Sequence, residues 1–186
     1  MRYVFKVISN DVRKESDTAG QDGTYNVKTP DSTDRDQVRY MLQVIEKSVE
    51  GRNLVRDTYS NLLRKSAGSG CSSNAGTFAV EVADMKRVRD NRAKLLQDLS
   101  AMPVDRIPEG RALLDRFTAA IRLSYQVNIE YVAWAERAQS SGCAGIAPSV
   151  VNDANHTEVL KEGFTNIWNS VVAPKFGVRT FTPGDI

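Results

Sequence analysis

The stretch from Arg111 to Ser141, RALLDRFTAAIRLSYQVNIEYVAWAERAQSS, contains neither Pro nor Gly. Leu114, Phe117, Ile121, Tyr125, Val132, Trp134 and Ala138 recur along it at mixed three- and four-residue spacings. That pattern predicts an amphipathic helix of about eight to nine turns at 3.6 residues per turn. A helix with so long an apolar stripe must be covered. Three other stretches are fit to pack on it.

Helix one is expected from about Thr33 to Ala67. Ser32, Thr33 and Asp34 offer N-caps, and Asp34 and Asp36 suit the positive end of the helix dipole. Its stripe is Val38, Met41, Leu42, Ile45, Val49, Val55, Tyr59, Leu62 and Leu63. Gly51 interrupts it at a cost of about 1 kcal/mol against Ala, which a close packing contact or a bend would explain. Helix two runs from about Thr77 to Met102, with Phe78, Val82, Met85, Val88, Leu95, Leu96 and Leu99 as its stripe and Pro103 as its stop. Pro108 suits the first position of helix three. Helix four begins near Asn152 or Asp153. Its stripe is Val159 or Leu160, then Phe164, Ile167, Trp168, Val171 and Val172, and Pro174 and Gly177 end it.

Four amphipathic helices joined by short connectors predict an all-α fold, an antiparallel up-down-up-down four-helix bundle spanning 33–176. An N-terminal arm, 1–32, precedes it: a short strand at Tyr3–Ile8, then a polar loop. A C-terminal tail, 177–186, follows. Its Val178–Thr182 run alternates apolar and polar residues, so the two termini are expected to meet as a two-stranded ribbon at one end of the bundle. A chain of 186 residues is enough for one domain with a real core.

Cys71 and Cys143 lie in similar small-residue loops, GSGCSS and SSGCAG. In an up-down bundle the ends of helices one and three share one end, so the two cysteines are expected to pair. The disulfide favours an extracytoplasmic or secreted location, with the cytoplasm as the alternative. The N-terminal apolar run, about five residues, is too short for a signal-peptide core. No window of about eighteen apolar residues marks a membrane span.

Most catalytic constellations are missing from the sequence. His156 is the single histidine, which excludes a multi-histidine metal site and the paired Glu-x-x-His motifs of di-iron bundles. GSGCSS lacks the Lys of a phosphate loop, and no GxSxG elbow occurs. Cys143 with His156 as a nucleophile pair is the weaker alternative to structural cysteines. Asn155-His156-Thr157 matches the glycosylation pattern only as a short motif. No cofactor or metal is expected.

Arg52 and Arg92 stand out because each falls where an apolar stripe should continue. Antiparallel packing brings them to similar height, where helix three passes Ser124 to Asn128 and helix four is expected to pass Asn166 to Asn169. Tyr125, Gln126, Asn128 and Trp168 join them in a mid-bundle polar layer. Arg52, Arg92, Asn128 and Trp168 are therefore the residues expected to hold an anionic ligand. The plainer reading has each guanidinium snorkel to solvent, or pair with Asp57, Asp90 or Glu130. The run KRVRDNRAK, Lys86 to Lys94, carries five basic residues but lacks interleaved aromatics. With a net charge of only +2, a solvated face is the simpler account.

The expected function is thus a non-enzymatic, disulfide-stapled helical bundle for binding, sensing or structural interaction, its partner another protein or a second copy. The alternatives are a bundle holding a small anion at Arg52 and Arg92, and a cytosolic regulatory or nucleic-acid-associated bundle. If Cys71 and Cys143 pair, the native protein shows no free thiol on titration. A loop of about seventy residues would then give roughly 4 kcal/mol, so reductant should lower the melting temperature. Two titratable thiols and an unchanged melting temperature would refute the pairing.

Overall fold

The computed structural model describes residues 33–66, 78–142, 148 and 151–186, with backbone alone for 66 and 151–155. Four helices carry the fold: α1 (Asp34–Ser66), α2 (Ala79–Ser100), α3 (Gly110–Ser141) and α4 (Val151–Ile167). The chain continues from α4 through a π-helical turn, Trp168–Val172, into one last helical turn, Ala173–Phe176. The architecture is all-helical among the described residues and compatible with a helical bundle. No helix among them is long and apolar enough to cross a membrane.

Local chemistry explains several of the ends. The Thr33 hydroxyl accepts a hydrogen bond from the Asp36 amide at 3.2 Å. The Asp36 carboxylate in turn accepts from the Thr33 amide and hydroxyl at 3.2 and 2.7 Å. Two otherwise unpaired donors at the start of α1 are satisfied in this way. Those bonds from Thr33 hold the Asp36 carboxyl below its usual range. At α3, Pro108 does not take the first helical position as expected. The helix starts at Gly110, after Glu109 in a left-handed conformation at φ 55°. Gly110 is buried, and a Cβ there would overlap the Val104 carbonyl oxygen. Only glycine lets the helix begin so close to the incoming chain.

α1 packs on α2, α2 on α3 and α3 on α4. Cross-helix pairs rise in one helix as they fall in the next. Lys65 pairs with Glu81 at 2.7 Å, Lys47 with Asp98 at 3.8 Å, and Gln37 donates to Asp105 at 2.7 Å. Lys86 reaches Glu136 at 2.8 Å, and Phe117 stacks on Phe164 with ring centroids 4.9 Å apart.

The apolar interior comes in two parts. The larger gathers Val38, Met41, Ile45, Leu95, Leu99, Leu113, Phe117, Phe164 and Trp168 with Phe181 and Ile186. The smaller gathers Leu62, Phe78, Val82, Met85, Val132, Trp134 and Ala138, with Tyr59 and Tyr131 packed against it. On α1, α2 and α3 the residues between these clusters include Ser48, Arg52, Arg92 and Asn128.

The ribbon expectation is corrected. Tyr3–Ile8 lies outside the described residues, as do Cys71 and Cys143. Val178–Thr182 forms no strand; it is irregular chain held by α4's continuation. Asn169 donates to the Phe181 carbonyl at 2.7 Å and accepts from the Phe181 amide at 2.9 Å. The Trp168 indole donates to the Arg179 carbonyl at 2.9 Å. Backbone groups that a strand would offer to a neighbour are spent on these side chains. The segment then lies against α1: Phe176 and Val178 line a groove with Val38 and Leu42, and Arg179 pairs with Glu46 at 3.8 Å.

Asn169→Ala removes both side-chain bonds and leaves a backbone donor and acceptor of Phe181 unmatched. At roughly 1 kcal/mol per bond, urea denaturation should report a loss of about 2 kcal/mol with an unchanged slope. Asn169→Asp keeps the acceptor alone and should lie between the variant and the parent.

Candidate anion site between the two cores

Arg92 occupies the place in α2 where the two cores part. It is only 4% exposed. Its Nη1 donates to the Ser48 carbonyl at 3.1 Å, the Ser48 hydroxyl at 3.3 Å and the Asn91 amide oxygen at 2.9 Å. All three acceptors are neutral, and Nε has no partner. Burial, with Arg52 adding repulsion, pushes the guanidinium down to about 10. Two of the carboxylates expected as partners go elsewhere: Asp57 pairs with Arg56 and Asp90 with Arg89. Glu130, the third, is exposed on α3.

Gly51 now has a reason. A Cβ at that position would stand 2.6 Å from the Asn91 amide oxygen and 2.9 Å from Arg92 Nη1. The missing side chain lets the guanidinium reach across to α1 and bond Ser48. The helix-propensity deficit of glycine is offset by this close approach, of the two explanations the one that holds.

Beside Arg92 lies a cavity of about 250 Å³. Arg52 and Val55 of α1 line it, with Ser124, Val127, Asn128 and Tyr131 of α3 and Thr157, Glu158 and Lys161 of α4. Arg52 and Arg92 thus meet at one site, as the interrupted stripes imply, and Asn128 joins them, 4% exposed. Trp168 does not. It is fully buried in the larger core, stacked on Phe164 at 6.0 Å and tilted against Phe181 at 5.8 Å. The expected height on α4 is therefore corrected: the helix reaches the layer at Thr157 to Lys161, well before Asn166.

Lys161 is the residue the sequence reading passed over. Its side chain is 12% exposed, and its nearest acid is Glu158 at 3.9 Å. Burial foremost, then repulsion from Arg52 and Arg92 against the pull of Glu158, lowers its ammonium from 10.5 to about 8. A signal was present. Thr157, Lys161, Phe164 and Trp168 follow three- and four-residue steps along one face. The expected stripe starts at Val159 or Leu160, off that face: Val159 is 64% exposed and Leu160 is only partly buried.

Arg52 forms no ion pair within 4.0 Å among the described residues. It stands near Gly184 and helps hold the Asp185 carboxyl low, behind the stronger effect of that carboxylate's bonds from Thr182. The basic run of α2 is largely neutralised: Lys86 pairs with Glu136, Arg87 with Asp84, Arg89 with Asp90 and Lys94 with Asp98. It presents mixed charge to solvent. No group of three or more metal-ligating side chains occurs among the described residues.

These features define a class, an all-helical protein with a cationic cavity between two apolar clusters. No protein-family model, curated protein or solved structure matches the chain.

The lowered Lys161 group makes stability depend on pH. Between about pH 8 and 10.5 the unfolded chain binds a proton at Lys161 that the folded protein has released. Unfolding free energy should therefore rise with pH across that window. Below it, the charged lysine opposes folding by a constant amount on the order of 3 kcal/mol. Melting of Lys161→Met should lack this component, so the variant's advantage over the parent should shrink from pH 7 to pH 10. A difference independent of pH would overturn the assignment.

Proposed function

We propose that this protein is a non-enzymatic helical bundle that binds a small anion in the cavity bounded by Arg52, Arg92, Asn128 and Lys161. The observation that carries the reading is Arg92: a buried guanidinium with neutral acceptors only, and an Nε without a partner. A desolvated cation is expensive to keep unless something negative meets it. Arg52 and Lys161 add charge to the same space. An up-down-up-down arrangement belongs to this reading, supported by the opposed cross-helix pairs. The extracytoplasmic placement rests on pairing of Cys71 with Cys143 and is independent of the cavity. The nucleic-acid alternative is disfavoured by the ion-paired state of the α2 basic run.

Arg92→Met separates a binding role from a structural one. Methionine has similar reach and needs no acceptor, so without ligand the variant should be as stable as the parent or more stable by about 1–2 kcal/mol. Stabilisation of the parent by sulfate, phosphate or acetate, read as a shift in melting temperature, should disappear in the variant. Equal stabilisation of both proteins by these salts would refute binding at Arg92. Arg52→Met should weaken the effect with a smaller change in stability, since Arg52 is only half-buried.

A further inference from the structure

Resting on that reading of the cavity, we infer that its ligand is a tetrahedral dianion: inorganic phosphate, or the phosphoryl group of a small monoester. The argument starts from charge. Three cationic groups line the space, Arg52, Arg92 and Lys161, and one carboxylate, Glu158. Glu158 sits at the rim with its side chain 52% exposed. Asp185 acts on Arg52 from outside the cavity and is committed to the Thr182 amide and hydroxyl, at 2.7 and 2.8 Å. Two positive charges in the lining are therefore uncompensated. A monoanion such as a carboxylate would leave one of them; a dianion balances both.

The mutual repulsion is visible in the groups themselves. Arg52 lowers Arg92, and both lower Lys161. A ligand that relieves all three must reach all three. They come from α1, α2 and α4, with Asn128 and Ser124 of α3 completing the ring. Planar carboxylate has two oxygens to share among these elements, whereas a phosphoryl group directs oxygens toward several walls at once. Size agrees. A cavity of about 250 Å³ falls below the range of roughly 300–1,000 Å³ typical of pockets for larger ligands. Phosphate with a few attached atoms fits; a nucleotide does not.

Glu158 gives the inference a second handle. As the only acid in the lining it competes with the ligand for Lys161. Replacing it with glutamine removes a negative charge without removing bulk, so dianion affinity should rise rather than fall. A purely structural ion pair would behave in the opposite way, with loss of stability and no gain in binding.

The experiment is titration calorimetry at pH 7.5 and constant ionic strength with five probes: sulfate, inorganic phosphate, methyl phosphate, nitrate and acetate. The dianions should bind at least tenfold more tightly than the monoanions. Glu158→Gln should tighten sulfate several-fold, and Lys161→Met should weaken it by tenfold or more. Sulfate keeps its charge over the range, so its affinity for the parent should fall from pH 7 to pH 9 as Lys161 loses its proton. Arg52 of α1, Arg92 of α2 and Tyr131 of α3 share the cavity lining with Lys161, as does Glu158 of its own helix, and a Lys161→Arg variant should abolish that fall. Binding of methyl phosphate as well as phosphate assigns a monoester; exclusion of methyl phosphate assigns the free ion, and both support a dianion. Nitrate and acetate binding as tightly as sulfate would overturn the dianion while sparing the anion site. No binding by any probe would overturn both.

Discussion

A guanidinium taken out of water at the centre of a helical protein constrains its whole neighbourhood. Arg92 must find acceptors; Asn91 beside it supplies one, and α1 supplies two, the Ser48 carbonyl and hydroxyl. The carbonyl belongs to a helical backbone, so α1 itself becomes a wall of the polar layer. The bond is possible because Gly51 clears the path. One charged contact thereby sets both the separation and the register of α1 and α2. Pairs further along the same interface, Lys65 with Glu81 and Lys47 with Asp98, follow from that register.

Stability has to come from either side of this layer. Leu95, Leu99, Phe117, Phe164 and Trp168 lie on one side and Phe78, Met85, Val132 and Trp134 on the other, all of them buried. A fully buried side chain of this kind contributes about 1.5–3 kcal/mol relative to exposure, so the two clusters together can carry an unfavourable layer between them. Retaining such a layer is more readily understood as a ligand requirement than as a stabilising device, because an apolar replacement of a buried charge is often neutral or better.

Much of this was legible in the residues alone. The body of α3, Arg111 to Ser141, follows from a stretch free of Pro and Gly, and the charged layer shows as two breaks in apolar stripes, at Arg52 and Arg92. Lys161 was hidden for a physical reason. A lysine stem is apolar enough to sit on an inward face, so its place in line with Thr157, Phe164 and Trp168 reads as an ordinary amphipathic position rather than as a break. Val159 and Leu160, the two apolar residues just before Lys161, were the alternative starts of the stripe and lie off that face. Trp168 was misplaced in height because α4 reaches the layer at Thr157 to Lys161, within fewer residues than counting from Asn152 implied. The irregular course of Val178–Thr182 was hidden too. Alternation reads as a strand, but here the backbone's partners are the side chains of Asn169 and Trp168, a choice that depends on tertiary structure.

The π turn at Trp168–Val172 has a consequence for phase. Phe164, Trp168, Val172 and Phe176 are all buried and follow one another every four residues. On a regular helix each such step advances about 40° beyond a full turn, so Phe176 would face roughly 120° away from Phe164. A widened turn unwinds the helix by about one residue, roughly 100°, and brings the last of the four back to the first one's side. Pro174, which has no amide proton to return to the Ser170 carbonyl, falls two residues past its end. The extra residue is thus a rotational correction. Deleting one position within this turn would restore ordinary winding and keep Phe176 on the side of Phe164, whereas forcing ordinary winding on all thirteen residues from Phe164 to Phe176 would swing it away from Val38 and Leu42.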